Sequence, residues 1–469
     1  MNNMEAIASL QQMNMEYDRL NHQKRQYAVL TYGCQMSEHD SEMIAGMLES
    51  MGYILAQSIN EADIIIINTC CVRESAEQKI YGKIGSLKKI KEERPHLLIG
   101  VSGCMMQKPN ELNRIRRIAP HVDFVLGTDM IHTLGNVILD AYTQRKLVVQ
   151  ISPDEYRQID EGLPHSRQDA YRAWVAIMHG CNNFCTYCIV PHVRGRERSR
   201  TPAAIISEIT QLTLKGVKEV TLLGQNVNSY GRGLQTPTDF SDLLMMVNDI
   251  PNIQRIRFMT SHPRDLTEKL IKTIEISKHV CEHIHLPVQA GSDRILQLMN
   301  RGYNQLQYLE LLTQIRERIP NVSVTTDIIV GFPGETEDDF QDTLKLCVKA
   351  QWDTAYTFIY SNRSGTSAST MVDQIPIAIK KRRLQELMAL QNEISLKINQ
   401  QLLSTTLEVM VEGESQNDAQ TLAGRTRTHK LVLFPKLTNL MPGDIVQVRI
   451  DDVKTWTLHG QVVPYDTGR

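Results

Sequence analysis

The chain has 469 residues, 42% of them hydrophobic and 22% charged, enough apolar material for two to four domains. A formal net charge of −2 and a pI near 6.7 exclude a uniformly basic nucleic-acid binder, so any polyanion site must be a local patch. Nine cysteines, an odd number without a secretory signal, point to a reducing compartment and metal ligation rather than disulfides.

Residues 1–24 are rich in Met, Asn and Gln and hold no unbroken apolar run, which fits neither a signal peptide nor a membrane span. No later segment is long and apolar enough for a bilayer, and the expected compartment is the cytoplasm. From Tyr27 to about Val149, short apolar runs alternate with helical ones. Tyr27–Thr31, Asp63–Ile67 and Leu97–Val101 read as buried parallel strands, with helices predicted over Ser37–Met51 and Arg73–Arg94. Residues 25–150 therefore predict a doubly wound α/β domain. The polar stretch Ser152–Asp169, with two prolines, reads as a linker.

A second alternating series spans residues 168–400. Its predicted strands are Trp174–Met178, Glu219–Leu223, Arg255–Met259, His283–Leu286, Ser323–Ile328 and Ala355–Tyr360. Helices fall between them at Ala203–Lys215, Ser241–Asp249, Thr267–Ser277, Ile295–Met299 with Gln305–Arg318, and Glu337–Ala350. Six strand–helix units predict an open, partial (β/α)6 barrel, whose function sits at the C-terminal strand ends. A long charged helix follows over Ile379–Leu403. From about Ser404 the texture turns to β, at Leu407–Val411, Leu431–Leu433 and Ile445–Ile450, so residues 401–465 predict a small β-barrel.

The most informative run is Cys181-Asn-Asn-Phe-Cys185-Thr-Tyr-Cys188, directly after the first barrel strand. Three thiolates leave one corner of a four-iron cubane without a protein ligand, open to a small molecule. A closed zinc site with His179 or His192 as fourth ligand uses the same residues. The segment from His179-Gly180-Cys181 through Cys185, Tyr187 and Cys188 resembles that of radical S-adenosylmethionine (SAM) enzymes. There, the amino and carboxylate groups of SAM chelate the open iron.

A second cysteine set lies in the first domain. Cys34, Cys70 and Cys104 each follow a strand, in Thr31-Tyr32-Gly33-Cys34, Asn68-Thr69-Cys70 and Ser102-Gly103-Cys104. Parallel strands bring these ends to one edge, so thiols far apart in sequence can converge. Buried cysteine is also an ordinary core residue. Cys347 shares an apolar helix face with Phe340 and Leu344, and Cys281 sits at a strand entrance; both read as structural.

Two three-cysteine sets, a doubly wound domain, a radical SAM barrel and a terminal β-barrel together resemble the methylthiotransferases, most closely the tRNA methylthiotransferase MiaB family. The likeness runs from roughly Gln26 to Val463 and is carried by Thr31–Met36, Asn68–Glu74, Gly100–Met105, Gly180–Pro191 and Gly224–Tyr230. Departures are Ser37, Cys71, Met106 and His192-Val193, none at an assigned ligand. The family position assigns Cys70 rather than Cys71 as the ligand.

The resemblance implies two [4Fe-4S] clusters and SAM. It implies conversion of N6-isopentenyladenosine beside the tRNA anticodon to its 2-methylthio derivative. The cluster on Cys181, Cys185 and Cys188 would cleave SAM, giving a radical that takes hydrogen from adenine carbon 2. The cluster on Cys34, Cys70 and Cys104 would present sulfur methylated by a second SAM. Rival substrates are a ribosomal-protein aspartate and threonylcarbamoyladenosine in tRNA; a non-catalytic electron carrier or RNA-binding module is the rival of another class. Implied partners are the tRNA, an electron donor such as flavodoxin or ferredoxin, and an iron–sulfur cluster repair protein. No membrane is implied, and a monomer suffices.

By position, Tyr187, Gly224, Gln225, Asn226, Gln289, Gly291, Ser292, Asp327, Gly331 and Arg363 are candidate SAM contacts, although Gly and Ser at strand ends also serve turns. Arg194, Arg196, Arg198 and Arg200 alternate after the cysteine loop, interrupted by Glu197. Arg425, Arg427, His429, Lys430 and Lys436 form an acid-free stretch in the terminal barrel, which resembles the RNA-binding TRAM module. Arginine's planar fork suits phosphate, so Arg194, Arg196, Arg425, Arg427 and Lys430 are the candidate RNA contacts.

Overall fold

The computed structural model describes residues 2–71, 74–108, 110–144, 146–152, 159, 161–167 and 169–463. The chain separates into two compact units: Met1–Gln168 with Met178–Asn182 and Cys188–Arg200, and Asp169–Ile177 with Asn183–Tyr187 and Thr201–Arg469.

The first unit opens with a helix that the polar composition of residues 1–24 conceals, α1 (Asn3–Asn21). A reciprocal cap starts it: Asn2 Oδ1 accepts the Glu5 N–H at 2.9 Å and Glu5 accepts the Asn2 N–H at 3.0 Å. Ala6, Leu10 and Asn14, four residues apart, are its buried residues, with Ile7 and Met13 packed beside them, and Asn14 Nδ2 donates to the Met51 carbonyl at 2.8 Å.

The order then runs β1 (Gln26–Tyr32), α2 (Gln35–Ser50), β2 (Ile54–Leu55), β3 (Ile64–Thr69), α3 (Glu74–Glu93), β4 (Leu98–Gly103), α4 (Glu111–Ile118), β5 (Phe124–Leu126), α5 (Leu134–Gln144) and β6 (Val148–Gln150). The strands form one parallel sheet in the order β2-β1-β3-β4-β5-β6. Strand β3 is apolar without alternation because helices cover both faces: Ile64 and Ile66 join one core with Met47 and Val137, Ile65 and Ile67 the other with Ile80 and Ile84. The order reverses between β1 and β3, and the crevice outside the carboxyl ends at such a reversal is where open α/β sheets bind ligands.

The described part of the expected linker is fastened down. The Ser166 N–H donates to the Glu42 carbonyl at 3.0 Å, Arg167 pairs with the Glu42 carboxylate at 3.3 Å, and Pro164 packs on Gly46 of α2. Residues 153–158, 160 and 168 of that stretch lie outside the described residues, as do Val72 and Arg73 before α3. After β7 (Arg172–Ala176), which belongs to the second unit, the chain returns to the first for β8 (Met178–His179), α6 (Val190–Val193) and β9 (Arg198–Ser199).

The second unit sets six parallel strands in chain order: β7, β10 (Glu219–Leu223), β11 (Arg255–Phe258), β12 (His283–His285), β13 (Ser323–Val330) and β14 (Thr354–Ile359). Strands β7, β10 and β11 pair, as do β12, β13 and β14, and a single bridge between Ile256 and Val280 joins the two sets. Among the described residues β7 and β14 do not pair, so the barrel is open. Helices α7 (Pro202–Leu214), α8 (Phe240–Asn248), α9 (Glu268–Ile276), α10 (Asp293–Leu298), α11 (Gln305–Arg318) and α12 (Glu337–Ala350) follow the successive strands, and α13 (Ile377–Gln400) leads out.

A closed five-stranded barrel ends the unit: β15 (Thr406–Ser415), β16 (Asp418–Thr426), β17 (Leu431–Pro435), β18 (Ile445–Val453) and β19 (Thr457–Val463), in the order β15-β16-β17-β19-β18. Strands β16 and β19 escape the apolar-run reading because their inward positions include Gly424, Thr426 and Gly460. This barrel docks on β11. The buried Arg255 reaches the Arg425 carbonyl at 2.7 Å and Glu408 at 2.8 Å, and Arg257 reaches the carbonyls of Arg427 and Thr426 at 2.9 and 2.8 Å. No helix among the described residues is long and apolar enough to cross a membrane.

Candidate metal and cofactor sites

Within the first unit, Cys34 ends β1 and starts α2, Cys70 follows β3, and Cys104 follows β4. Gly103 permits the last placement. Its φ is +100°, and a Cβ there would lie 2.2 Å from the Thr69 carbonyl oxygen, so only glycine lets β3 and β4 end side by side. A hydrogen bond from Cys70, aided by the Arg194 charge and Ser37, pulls the Cys34 thiol down to about 5 against the effect of burial. Cys104 is lowered as well, first by a hydrogen bond from Cys71 and then by Arg194.

Arg194 is 5% exposed and serves this site. Its Nε lies 3.2 Å from Cys104 Sγ and its Nη2 2.5 Å from Asp40 Oδ2. Burial opposes ionisation of Asp40, yet Arg194 holds the carboxyl below the usual range. The expectation that Arg194 meets RNA at the surface is corrected: the guanidinium is spent among thiols and a buried carboxylate. The donor set fits an iron–sulfur group. Thiols stand at three adjacent strand ends, those of Cys34 and Cys104 shifted toward ionisation, without disulfides among the described cysteines and with a cation to balance cluster charge.

In the cysteine loop, Cys181 is buried and Gly180 has φ +76°. A Cβ on Gly180 would fall 2.1 Å from the Arg196 carbonyl oxygen, and the Cys181 N–H donates to the Gly195 carbonyl at 3.2 Å. Segment 188–200 therefore touches both cysteine sets from successive residues, Arg194 at Cys104 and Gly195 at Cys181. His179, considered as a fourth ligand, is kept neutral: burial and Arg194 push its protonation down to about 3. His192 is exposed.

In the second unit, Cys185 has a neighbour that sequence reasoning missed. Arg301 Nη1 lies 3.4 Å from Cys185 Sγ and 3.4 Å from the Tyr187 hydroxyl, while Nη2 donates to the Pro287 carbonyl at 2.7 Å. Its only sequence signal is a basic residue in the turn Asn300-Arg301-Gly302-Tyr303 after α10. Tyr187 packs on the cluster containing Ala290, Met299 and Tyr360.

The active end of the same unit holds a group of unsatisfied polar atoms. Beyond β10, Gln225 Oε1, Asn226 Oδ1 and both amide atoms of Asn228 are buried without a hydrogen-bond partner; beyond β11, so are Ser261 Oγ and His262 Nε2. The Val227 N–H to Thr260 carbonyl bond at 3.0 Å ties these loops together, and Asp265 fixes Asn226 Nδ2 at 2.7 Å. Buried polar atoms without partners are costly, so such a group suits a polar ligand. Gly224 and Gln225 lie in this group's loop, whereas Asn228, Ser261 and His262 were not legible.

Other candidates have local duties. Gln289 sits at φ +77° and bridges to β13, its N–H donating to the Asp327 carbonyl at 2.8 Å. Ser292 caps α10 and bonds Asp339 at 2.5 Å, the ordinary turn role. The Asp327 carboxylate is 3.6 Å from His285, and Arg363 is half-buried on the loop after β14.

The basic stretch of the terminal barrel is engaged with acidic partners of the same unit. Arg427 pairs with Glu282 at 2.7 and 2.8 Å and reaches the Val280 carbonyl at 2.7 Å. Lys430 binds Asp353 at 2.6 Å and Asn399 at 3.0 Å, and Arg425 lies 3.4 Å from Glu412. Arg198 pairs with Asp129 at 3.4 Å and Arg200 with Glu161 at 3.8 Å, which leaves Arg196 as the exposed member of its run.

Three family models match the chain: the Radical SAM superfamily over residues 175–347, "Uncharacterized protein family UPF0004" over 26–127, and the TRAM domain over 400–463. A protein of Desulforamulus reducens named tRNA-2-methylthio-N(6)-dimethylallyladenosine synthase is 52% identical over 441 residues, 94% of this chain and 96% of that one. A relative of the same name from Acetivibrio thermocellus is 49% identical over 457 residues, 97% and 95% of the two chains. The chain belongs to the tRNA-2-methylthio-N(6)-dimethylallyladenosine synthase family. Membership in the Radical SAM superfamily brings a [4Fe-4S] cluster and SAM as cofactors. Among solved structures, the radical SAM methyltransferase TsrM from Kitasatospora setae superposes with a TM-score of 0.53 at 11% identity, covering 74% of this chain and 77% of that one, a likeness of fold.

Proposed function

We propose that this enzyme methylthiolates carbon 2 of N6-isopentenyladenosine beside the tRNA anticodon, using two iron–sulfur centres. Cys181, Cys185 and Cys188 hold the SAM-binding centre, and Cys34, Cys70 and Cys104 hold the second. With these groups bound, SAM cleavage supplies a radical for hydrogen abstraction and the second centre supplies the methylated sulfur. The observation that carries the reading is segment 188–200, whose consecutive residues touch Cys104 and Cys181.

The remaining residues orient and compensate. Arg194 balances thiolate charge at the second centre, and Arg301 does so at Cys185. Gln225, Asn226, Asn228, Ser261 and His262 offer SAM the hydrogen-bonding atoms that protein leaves unpaired, and Tyr187, Gly224, Gln289, Asp327 and Arg363 are the further candidate contacts. Residues 25–150, 168–400 and 401–465 act as three functional modules, of which 72, 73, 109, 145, 168 and 464–465 lie outside the described residues. An external low-potential reductant and a cluster-repair partner complete a cytoplasmic, monomeric enzyme.

The test is mass analysis of nucleosides from isopentenylated tRNA after anaerobic incubation with reconstituted chain, SAM and reductant. A 2-methylthio product absent from reactions lacking SAM is the expected result. SAM cleavage with unmodified isopentenyladenosine would sink the substrate assignment and favour the ribosomal-protein aspartate.

A further inference from the structure

The second unit holds a cavity of about 150 Å³ at the end of its strands opposite the cofactor loops. The first residues of three strands line it: His283 of β12, Ser323 of β13 and Thr354 of β14. The terminal barrel closes the other side with His429, in the turn between β16 and β17, and Trp456, between β18 and β19. That turn is held in a costly shape. His429 has φ +67°, its N–H donates to the Thr426 carbonyl at 3.0 Å, and its carbonyl accepts from Arg425 Nη1 at 3.1 Å. Its ring stacks on that of His283, with centroids 4.8 Å apart and planes 25° from parallel. A residue other than glycine kept in the left-handed region costs stability and points to use. Among the described residues, His429 Nδ1 is buried without a hydrogen-bond partner.

The charges around the cavity cancel. Lys430 is paired with Asp353 at 2.6 Å, and Arg425 lies 3.4 Å from Glu412. Burial, helped by the nearby Arg257 and Arg425, keeps both histidines neutral. An anion therefore finds no spare charge here. A neutral polar ring finds hydroxyls, an imidazole and two aromatic side chains, Tyr356 and Trp456, that stay 45% and 56% exposed. Space sets the size of that ring, because a cavity of this volume holds one six-membered ring.

We propose that this cavity takes one unstacked pyrimidine base of the RNA substrate, stacked at Trp456 and read by His429. The inference rests on the RNA reading given above. The eight residues of β13 set its two ends about 23 Å apart, so this base is not the one that is modified. A single-stranded base stacks readily on an exposed aromatic ring, and its neutral edge pairs with neutral polar groups. The two fused rings of a purine are too large to enter.

The test uses the full chain and two labelled single-stranded probes, hexauridylate and hexaadenylate, with binding read by fluorescence anisotropy. The wild-type chain is expected to bind hexauridylate about tenfold more tightly than hexaadenylate. Trp456→Ala should erase that preference, and Trp456→Phe, which keeps a ring, should retain it. His429→Asn, whose side chain tolerates the left-handed turn, should erase it as well. Hexauridylate carrying one 5-iodouridine should cross-link under ultraviolet light to Trp456 or Tyr356, as mapped by peptide mass spectrometry. Equal affinity for the two probes, or a preference that survives both Trp456→Ala and His429→Asn, overturns the proposal. So does loss of the preference in excess inorganic phosphate at constant ionic strength, which would make the cavity an anion site. A chain that binds isopentenylated tRNA without any pyrimidine preference loses the pocket alone. One that binds neither probe nor tRNA loses the RNA reading along with it.

Discussion

Arg194 and Cys104 stand 90 residues apart in sequence, with Nε 3.2 Å from Sγ. The contact joins the polypeptide just after the radical SAM cysteine loop to a strand end of the doubly wound sheet. The other arm of the guanidinium is neutralised by the buried Asp40, so the pair sits on the thiol site as a fixed dipole with its positive end toward sulfur.

Replacing Arg194 with methionine leaves Asp40 ionised and buried without its partner. Breaking one side of a buried pair costs about 3–5 kcal/mol. Arg194→Met is expected to lower the thermal unfolding midpoint sharply, and Arg194→Met/Asp40→Leu to recover most of it, measured by calorimetry under anaerobic conditions. Equal instability of the single and double variants would contradict the pairing.

Gly103 carries no chemistry, yet it decides where Cys104 stands. Gly103→Ala forces a Cβ against the Thr69 carbonyl and pushes the β3 and β4 ends apart. The expected outcome is loss of about half the iron, from about eight to about four atoms per chain, with SAM cleavage retained. Iron assay and 5′-deoxyadenosine release check the two halves; a full iron complement would show that the strand ends tolerate the extra atom.

Acid should weaken the second unit through His262. Burial and the neighbouring Arg301 push its protonation from 6.5 down to about 2, and Nδ1 accepts the Arg264 N–H at 3.3 Å, a bond only the neutral ring makes. The unfolded chain therefore binds a proton that the folded one refuses. Stability is intact above pH 6.5 and falls as pH drops from there toward 2, by about 1.4 kcal/mol per unit at most. Unfolding at pH 7.5 and 5.5 should differ less for His262→Asn, which keeps an acceptor but cannot titrate; an identical difference would remove His262 from the account.

The basic residues divide into two kinds that salt can distinguish. Arg196→Gln should weaken tRNA binding and reduce the slope of log affinity against log salt by about one. Arg427→Gln breaks the Glu282 pair and should lower stability while leaving that slope unchanged. Filter binding between low and high salt, alongside thermal unfolding, separates them. A slope change for Arg427→Gln and none for Arg196→Gln would reverse the assignment.

What could be read from sequence was whatever local pattern determines. Ile64–Ile67 announces a strand covered on both faces, and cysteines placed after three such strands announce a shared edge. Arg194 was illegible because its partners lie 90 and 154 residues away, while an alternating arginine run looks like a phosphate-facing surface. The same holds for Arg427 and Lys430, whose acidic partners Glu282 and Asp353 belong to a different barrel. Helix α1 hid because three buried residues in nineteen, one of them Asn14, leave little periodic signal. Ser261 and His262 look like ordinary loop residues until burial removes their hydrogen-bond partners.

Three neighbouring strands, β1, β3 and β4, each supply one thiol, and this ordering constrains biogenesis. A growing chain lacks the complete trio until Cys104 is made, and the three ends come together only once β3 lies between β1 and β4. Metal delivery to this edge therefore waits on the pairing of β1, β3 and β4, and not on β5 or β6.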